Sequence, residues 1–366
     1  MSSGRRHAGR VFLFFLGVAL TGSLPASGLK PDEELLLYPA LALPRGGAWE
    51  IQVHGLVYEP ERRRLLSAGL RRLIGLEEED MTVEEKAIYR ERSSYFLVDN
   101  ERGKKLSLRV AGMEFKFGTS AANGHFSSVW RWPTNEPAFG SLLGQATNGL
   151  LVLDGTVVRA AGRPARLEVH LLGEEGWSVV SDIDDTIKIS QVRNRGALLR
   201  NTFARPFQPV AGMAEVYRAW EQAAQARFHY VTASPWQLYQ PLAAFVSSNG
   251  FPGGTFHMKD FRLKDRSVLE LFSGPEAYKR RTIDPLLRSF PLRKFVLVGD
   301  SGEKDPEIYG RLARAHPAQV RRILIHDVTG DSVEGARYQA AFRGVPRENW
   351  QLFRQPGELA RSLPER

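Results

Sequence analysis

Asp182 and Asp184 stand two residues apart at the end of a short apolar run, Trp177–Val180, in the stretch WSVVSDIDDTIKIS. On an extended backbone that spacing points both side chains the same way. Two carboxylates so close repel each other unless a cation lies between them or one is protonated, and carboxylate oxygens suit Mg²⁺. Gly173 and Gly176 bound the run on its left, so it reads as a buried strand. Its carboxyl end is where an open α/β sheet gathers its ligands. Taken alone, the pentapeptide DIDDT is equally readable as an acidic loop without chemistry.

Two further strand ends carry polar groups of complementary kinds. Arg227–Val231 runs into Thr232 and Ser234, hydroxyls beside the start of a helix, a place suited to phosphate. Phe295–Val298 runs into GDSGEKD, which holds Asp300 and Asp305, and Lys279 precedes that strand. Acid pair, hydroxyl, lysine, acid pair is an order more specific than any member. Phosphoryl transfer through an aspartyl-phosphate needs such a set: a carboxylate nucleophile, Mg²⁺, a neutralising cation and an acid for the leaving group. Several neighbours have plainer readings. Ser234 reads as a helix N-cap, Asp185 as a cap on the segment after it, and Asp305, before Pro306, can be a cap as well. Lys279 lies in a basic run, Lys279-Arg280-Arg281, and only its place in the order promotes it.

From Trp177 onward the pattern alternates strand and helix, which argues for a parallel sheet. Helices are expected over Gly212–Ala226, from Pro235 or Trp236 to Asn249, over Glu276–Phe290 with a break or kink at Pro285, and over Pro306–Ala315. Arg322–Ile325 reads as the last strand. The first half differs. Leu35–Leu43 and Trp49–Tyr58 are rich in β-formers, and Arg62–Leu76 and Asp80–Arg92 have helical periodicity, the second with Thr82 and Glu85 spaced as a capping box. Tyr95–Asp99, Leu106–Val110, Met113–Phe117, Phe126–Trp132, Gly149–Val158 and Arg166–Leu171 read as short strands of a small sandwich or barrel, with a hairpin turn at Asn100–Gly103. His54, His125 and His170 are scattered, without metal-ligand spacing, and read as surface or satisfied histidines.

The chain has 366 residues, 43% of them hydrophobic, and a net charge of +9. That length allows two domains, and the mild positive balance is compatible with an anionic partner without naming one. Met1–Ser27 has a basic start (Arg5, Arg6, Arg10), an apolar stretch Val11–Leu24 and small residues for cleavage. It reads as a secretory signal, or alternatively as an uncleaved N-terminal anchor. The expected organisation is 1–28 signal peptide, 29–172 β-rich domain with a helical insertion, and 173–366 catalytic domain. There is no cysteine, so the core must supply the stability without disulfides.

The order of motifs resembles the haloacid dehalogenase superfamily, and SDIDDTIK, HYVTASPWQLY and KFVLVGDSGEKDPEIYG resemble more closely the catalytic domain of the actin-patch type phosphatidate phosphatases, lipin-related enzymes. The resemblance covers about Trp177–Val328. It implies an α/β fold with a Rossmann-like, haloacid dehalogenase-type parallel sheet, here preceded by the β-rich region found in bacterial members. It implies that Asp182 attacks phosphorus, that Asp184 is the acid and then the base, that Thr186 helps hold that loop, that Thr232 bonds a phosphate oxygen and that Lys279 offsets charge. Asp182, Asp300 and the main-chain carbonyl of Asp184 would hold Mg²⁺, with Asp305 either behind these ligands or a ligand through a water. The family usually has serine where this chain has Thr232, and a threonine hydroxyl makes the same bond. The function implied is hydrolysis of phosphatidate or a related lipid phosphate at a membrane surface, in the periplasm or envelope. A phosphatase for soluble phosphomonoesters and a non-catalytic envelope binding protein are the alternatives; a nucleic-acid partner is not expected. Two stretches are expected at the rim. One is a basic flap with Lys188, Arg193, Arg195, Arg200 and Arg205, which by default are scattered surface charges. The other holds Phe251, Phe256, Met258, Phe261, Leu271 and Phe272 near Lys259, Arg262 and Lys264, either as a lipid-facing surface or, taken singly, as core.

Overall fold

Buried apolar runs decide the architecture, and they form two sheets. The computed structural model describes residues 28–60, 64–160, 162–261, 275–360 and 363. The expected signal segment, together with Arg62, Arg262, Lys264, Leu271 and Phe272, lies outside the described residues. No helix among the described residues is long and apolar enough to cross a membrane.

The first sheet takes β1 (Glu34–Leu37), β2 (Ala40–Arg45), β3 (Ala48–Glu59), β4 (Asp99–Asn100), β5 (Lys105–Val110), β6 (Met113–Thr119), β7 (His125–Pro133), β8 (Leu150–Val158) and β9 (Pro164–Leu171). Its order is β1-β3-β2-β9-β8-β5-β6, with β4 and β7 also on β3. All pairs are antiparallel except β2 with β9. The predicted short strands therefore join in one nine-stranded sheet. Strand β3 is the hinge of the arrangement. Its Ile51, Val53 and Val57 enter the core of this half, while Leu56 and Tyr58 point to the other face and join the core of the second half.

Between β3 and β4 lie α1 (Arg64–Leu73) and α2 (Val83–Ser94). The Thr82 hydroxyl accepts from the Glu85 N–H at 3.1 Å, and the Glu85 carboxylate accepts from the Thr82 N–H at 3.0 Å, so the capping box forms as its spacing predicts. Tyr95–Val98 is not the expected strand; the chain turns there, and Phe96 and Leu97 are buried to dock the insertion. The turn at Asn100–Gly103 closes no hairpin, because β4 pairs with β3. The tight turn is Ala111-Gly112, between β5 and β6, with φ of +48° and +80°, the left-handed pair that suits the twist of two antiparallel strands. A short helix, α3 (Pro137–Leu143), stands outside the expected elements; its Phe139 stacks on Trp132 at 4.5 Å. Two of the three histidines of this half meet in space. His54 Nε2 lies 3.0 Å from His125 Nδ1, and burial pushes His54 down to about 3 and His170 down to about 4.

The second sheet is wholly parallel. It comprises β10 (Trp177–Ser181), β11 (Arg227–Pro235), β12 (Gly254–Lys259), β13 (Lys294–Asp300), β14 (Val320–His326) and β15 (Trp350–Phe353), in the order β12-β11-β10-β13-β14-β15. Arg322–Ile325 is thus followed by one more strand. The helices are α4 (Arg195–Phe203), α5 (Met213–Ala224), α6 (Tyr239–Ser248), α7 (Pro275–Ser289, with Pro285 inside it), α8 (Asp305–Ala315) and α9 (Ala336–Ala341). Alternate strand residues feed two cores. Val179, Val296 and Val298 meet α4, α5 and α6, whereas Val180, Phe295 and Leu297 meet α7, α8 and α9. Each such fully buried side chain contributes about 1.5–3 kcal/mol. The order of strands reverses between β10 and β13, so their carboxyl ends open a crevice.

The two halves are joined by ions as well as by the shared core. Arg200 Nη2 and Arg205 Nε lie 2.9 Å and 3.2 Å from the Glu85 carboxylate. Two of the flap cations are therefore paired to α2. The Arg200 contact, with burial opposing it, holds the Glu85 pKa down at about 2. A depressed carboxylate stabilises the fold above its ordinary pKa and loses that contribution as pH falls through the folded value. Glu85→Gln keeps a capping-box residue but removes the charge. We expect it to cost on the order of 1 kcal/mol at neutral pH, with melting curves of variant and parent converging as pH falls from about 4.5 toward 2.

Candidate active site

Strand β10 stops at Ser181 because the chain then has to turn. The Asp182 N–H still donates to the Val298 carbonyl at 2.9 Å, but Asp185 sits at φ +55°. Its carboxylate takes the N–H groups of Ser190 (2.7 Å), Gln191 (2.8 Å) and Val192 (2.7 Å). Asp185 thus caps the following segment, as its plain reading has it.

The turn separates the two aspartates into different surroundings. Asp182 faces Lys279, at 3.1 Å, and accepts from the Thr186 hydroxyl at 3.2 Å. Lys279 reaches in from α7 and also touches Asp305 at 2.6 Å and Glu303 at 3.0 Å. Asp182, Asp300 and Asp305 each offer an oxygen within 4.8 Å of the others, and all three are buried. Asp300 Oδ1 accepts from the N–H groups of Gly302 (2.6 Å) and Glu303 (3.1 Å). Asp300 Oδ2 is buried with no partner. A buried carboxylate oxygen left without a donor is costly, and three such acids in one place are the donor set of a hard divalent cation. The residues present therefore fit a metal ion. Gly299 keeps the set tight, since a Cβ there would lie 2.2 Å from Asp305 Oδ2.

Asp184 is not a member of this triad. Its Oδ1 lies 2.7 Å from Lys188 Nζ and accepts from the Ser190 hydroxyl at 2.6 Å. Its Oδ2 accepts from the Thr232 and Ser234 hydroxyls at 3.3 Å and 3.2 Å. A metal role for its carboxylate, as distinct from its main-chain carbonyl, has no neighbour acid to share. Ser234 is not an N-cap: the cap position of the one-turn 3₁₀ helix Trp236–Leu238 belongs to Pro235 and carries no side-chain bond. Ser234 instead joins Thr232 on Asp184.

The electrostatics follow the split. Burial pushes Asp182 well above the usual carboxylate range, against the pull of Lys279. Burial and then Asp305 push Asp300 up as well. Burial works to lower Lys279, but Asp182, Asp305 and Glu303 overcome it and hold the ammonium charged. For Asp184, burial works upward and the Lys188 ammonium overcomes it, so the group is held below its ordinary range.

Several participants were not picked out in the sequence. Lys188, read as surface charge, is 1% exposed. It follows Asp184 by four residues, and the turn through Asp185, at positive φ, lays Lys188 back beside Asp184. Glu303 lies inside GDSGEKD, where the motif draws attention to the aspartates. Arg337 of α9 donates to the Ser301 and Glu303 carbonyls at 2.5 Å each and pairs with Glu307 at 2.9 Å, so it holds the acidic loop from outside. Of the flap cations, Arg193 and Arg195 are exposed. The proposed lipid-facing residues Phe251, Phe256, Met258 and Phe261 are all core.

Residues 177–327 match the family model described as phosphatidate phosphatase APP1, catalytic domain. The chain is 35% identical over 153 residues to phosphatidate phosphatase APP1 of Saccharomyces cerevisiae, covering 41% of this chain and 26% of that protein. It is 32% identical over 168 residues to an uncharacterised protein of Schizosaccharomyces pombe, covering 45% of this chain and 27% of that one. The chain thus spans about a quarter of the length of these curated relatives. The segment that carries the acid, hydroxyl and lysine set is similar to the catalytic domain of phosphatidate phosphatase APP1.

Proposed function

We propose that the chain is an exported, Mg²⁺-dependent phosphatase that hydrolyses phosphatidate or a related lipid phosphate through an aspartyl-phosphate on Asp182. The observation that carries this reading is the pair of opposite environments two residues apart. Asp182 lies against Lys279 and two further acids, and Asp184 lies against two hydroxyls and Lys188. Acid and base assignments follow where neighbouring carboxylates are driven apart in this way.

Asp182 attacks phosphorus, and Lys279 offsets charge on the transferring group. Asp182, Asp300 and Asp305 would hold Mg²⁺, which would supply further charge neutralisation and favour the ionised form of Asp182. Thr232 turns its hydroxyl from Asp184 to a phosphate oxygen. Asp184 is a carboxylate at rest because of Lys188. A dianionic phosphate bound beside it raises its proton affinity, so it takes up a proton with the substrate and gives it to the departing alkoxide. It then serves as base for the water that releases phosphate from Asp182. The exposed Arg193 and Arg195, on the segment whose N–H groups Asp185 caps, supply positive charge near the site for an anionic headgroup.

The test compares phosphatidate in mixed micelles with glycerol 3-phosphate, using the purified chain with Mg²⁺. We expect kcat/KM to be higher on phosphatidate by at least about tenfold, a difference of about 1.4 kcal/mol in transition-state stabilisation. Equal or better hydrolysis of glycerol 3-phosphate would sink the lipid reading and leave a phosphatase for soluble esters.

A further inference from the structure

We propose that Arg92, from the β-rich half, is a positioning residue for Asp184, acting through the Phe207 ring and the Lys188 ammonium. The proposal rests on the reading of Asp184 as the acid and base. Arg92 lies outside the segment 177–327, yet its side chain is 6% exposed and embedded in the other half. Its Nη1 donates to the carbonyls of Thr202 (2.7 Å), Arg205 (2.8 Å) and Asn201 (3.4 Å). These are the last carbonyls of α4 and its exit, which have no partners within the helix. The same guanidinium lies over the Phe207 ring, 3.6 Å from its centroid.

Phe207 carries the contact onward. Lys188 Nζ lies over the same ring at 4.8 Å from its centroid and 2.7 Å from Asp184 Oδ1. Residues 208–210 are laid alongside 187–189: the Ile189 N–H donates to the Gln208 carbonyl at 2.8 Å, and the Val210 N–H to the Ile187 carbonyl at 2.9 Å. The ring is therefore fixed relative to the Lys188 backbone from one side and by Arg92 from the other. A lysine has four flexible side-chain bonds and a point charge without preferred direction. What directs this one is the aromatic face and the Ser190 hydroxyl, to which it also donates. Glu85 and Arg92, two turns apart on α2 and both buried, each reach the flap, Glu85 through Arg200 and Arg205 and Arg92 through the last carbonyls of α4 and its exit. On this view the β-rich half completes the catalytic unit by setting where Asp184 points.

A buried arginine that caps a helix is also a plain stabiliser, so the test has to separate position from stability. In the full chain, Arg92→Met, Arg92→Lys and Phe207→Leu are compared on phosphatidate micelles and on p-nitrophenyl phosphate, alongside their melting temperatures. Nitrophenolate departs without needing a proton, whereas the alkoxide of phosphatidate needs one. We expect Arg92→Met and Phe207→Leu to lower kcat on phosphatidate by about 10–100-fold, with KM within about threefold and kcat on p-nitrophenyl phosphate within about threefold. Arg92→Lys, which keeps a cation over the ring, should recover part of the loss. Equal losses on both substrates, or a lower melting temperature with unchanged rates, would overturn the positioning role. If the parent chain splits neither ester, the phosphatase reading fails on its own, and the crystal structure of Phe207→Leu decides the rest. An opened Lys188–Asp184 pair supports the proposal, and an unchanged pair overturns it.

Discussion

Asp182→Asn is expected to remove at least about 10⁴-fold of turnover and to leave no phosphoenzyme, while the protein melts no lower than its parent. The reason lies in the asymmetry of the site. An amide in place of Asp182 keeps the volume and removes the proposed nucleophile. It also takes one negative charge out of a group of four acids, the buried Asp182, Asp300 and Asp305 and the half-buried Glu303, set against Lys279. Lys279 keeps Asp305 and Glu303 as partners, so no buried cation is stranded. Asp184→Asn is expected to behave otherwise. It removes the carboxylate partner of the buried Lys188, and breaking such a pair costs about 3 kcal/mol. Its residual activity should depend on the leaving group, surviving better on p-nitrophenyl phosphate than on phosphatidate, because Asp182 can still attack. Rapid-quench trapping of phosphoenzyme with both variants checks this. A normally active Asp182→Asn would show that the nucleophile lies elsewhere.

Much of the catalytic half was legible because parallel strands covered on both faces read as unbroken apolar runs. Trp177–Val180 and Phe295–Val298 are such runs, and each ends in the acids that the sheet then brings together at one crevice. What was not legible came from contacts between distant segments. Lys188 reads as one more cation in a basic flap until the chain folds residues 207–210 back along it. Arg200 and Arg205 read as free rim charges until α2 brings Glu85 against them. Phe251, Phe256, Met258 and Phe261 alternate with polar residues as a lipid-facing surface can, but the sheet edge and α5 and α6 bury them. The apparent strand at Tyr95–Asp99 shows the same ambiguity. Apolar residues needed to dock a helical insertion have no period of their own, and a short window cannot tell them from a strand.

Withdrawing the metal should abolish turnover, and adding Mg²⁺ to metal-free protein should raise its melting temperature by about 3–4 °C when the site is well saturated. Charge accounts for both effects. With all four acids ionised, Asp182, Asp300, Asp305 and Glu303 outweigh the Lys279 ammonium they face, and the three aspartates are buried. Burial answers this by pushing Asp182 and Asp300 above the usual carboxylate range. A divalent cation removes that conflict, so binding is coupled to stability, and at a hundred times its Kd it contributes about 2.7 kcal/mol. Asp300 provides the control. Its Oδ2 has no other partner, so Asp300→Asn should raise the melting temperature of the metal-free protein, erase the Mg²⁺-dependent shift and lose activity. The donors are all oxygen, a set that suits Mg²⁺ and gives Zn²⁺ no nitrogen or sulfur ligand, so Zn²⁺ should not restore turnover. Differential scanning calorimetry of both proteins, with EDTA and then with Mg²⁺ or Zn²⁺ in excess, reads every one of these effects except the activity, which is assayed in parallel. Full turnover in EDTA, with no Mg²⁺-dependent shift in the parent protein, would mean that Asp182, Asp300 and Asp305 are held together for a purpose other than binding a cation.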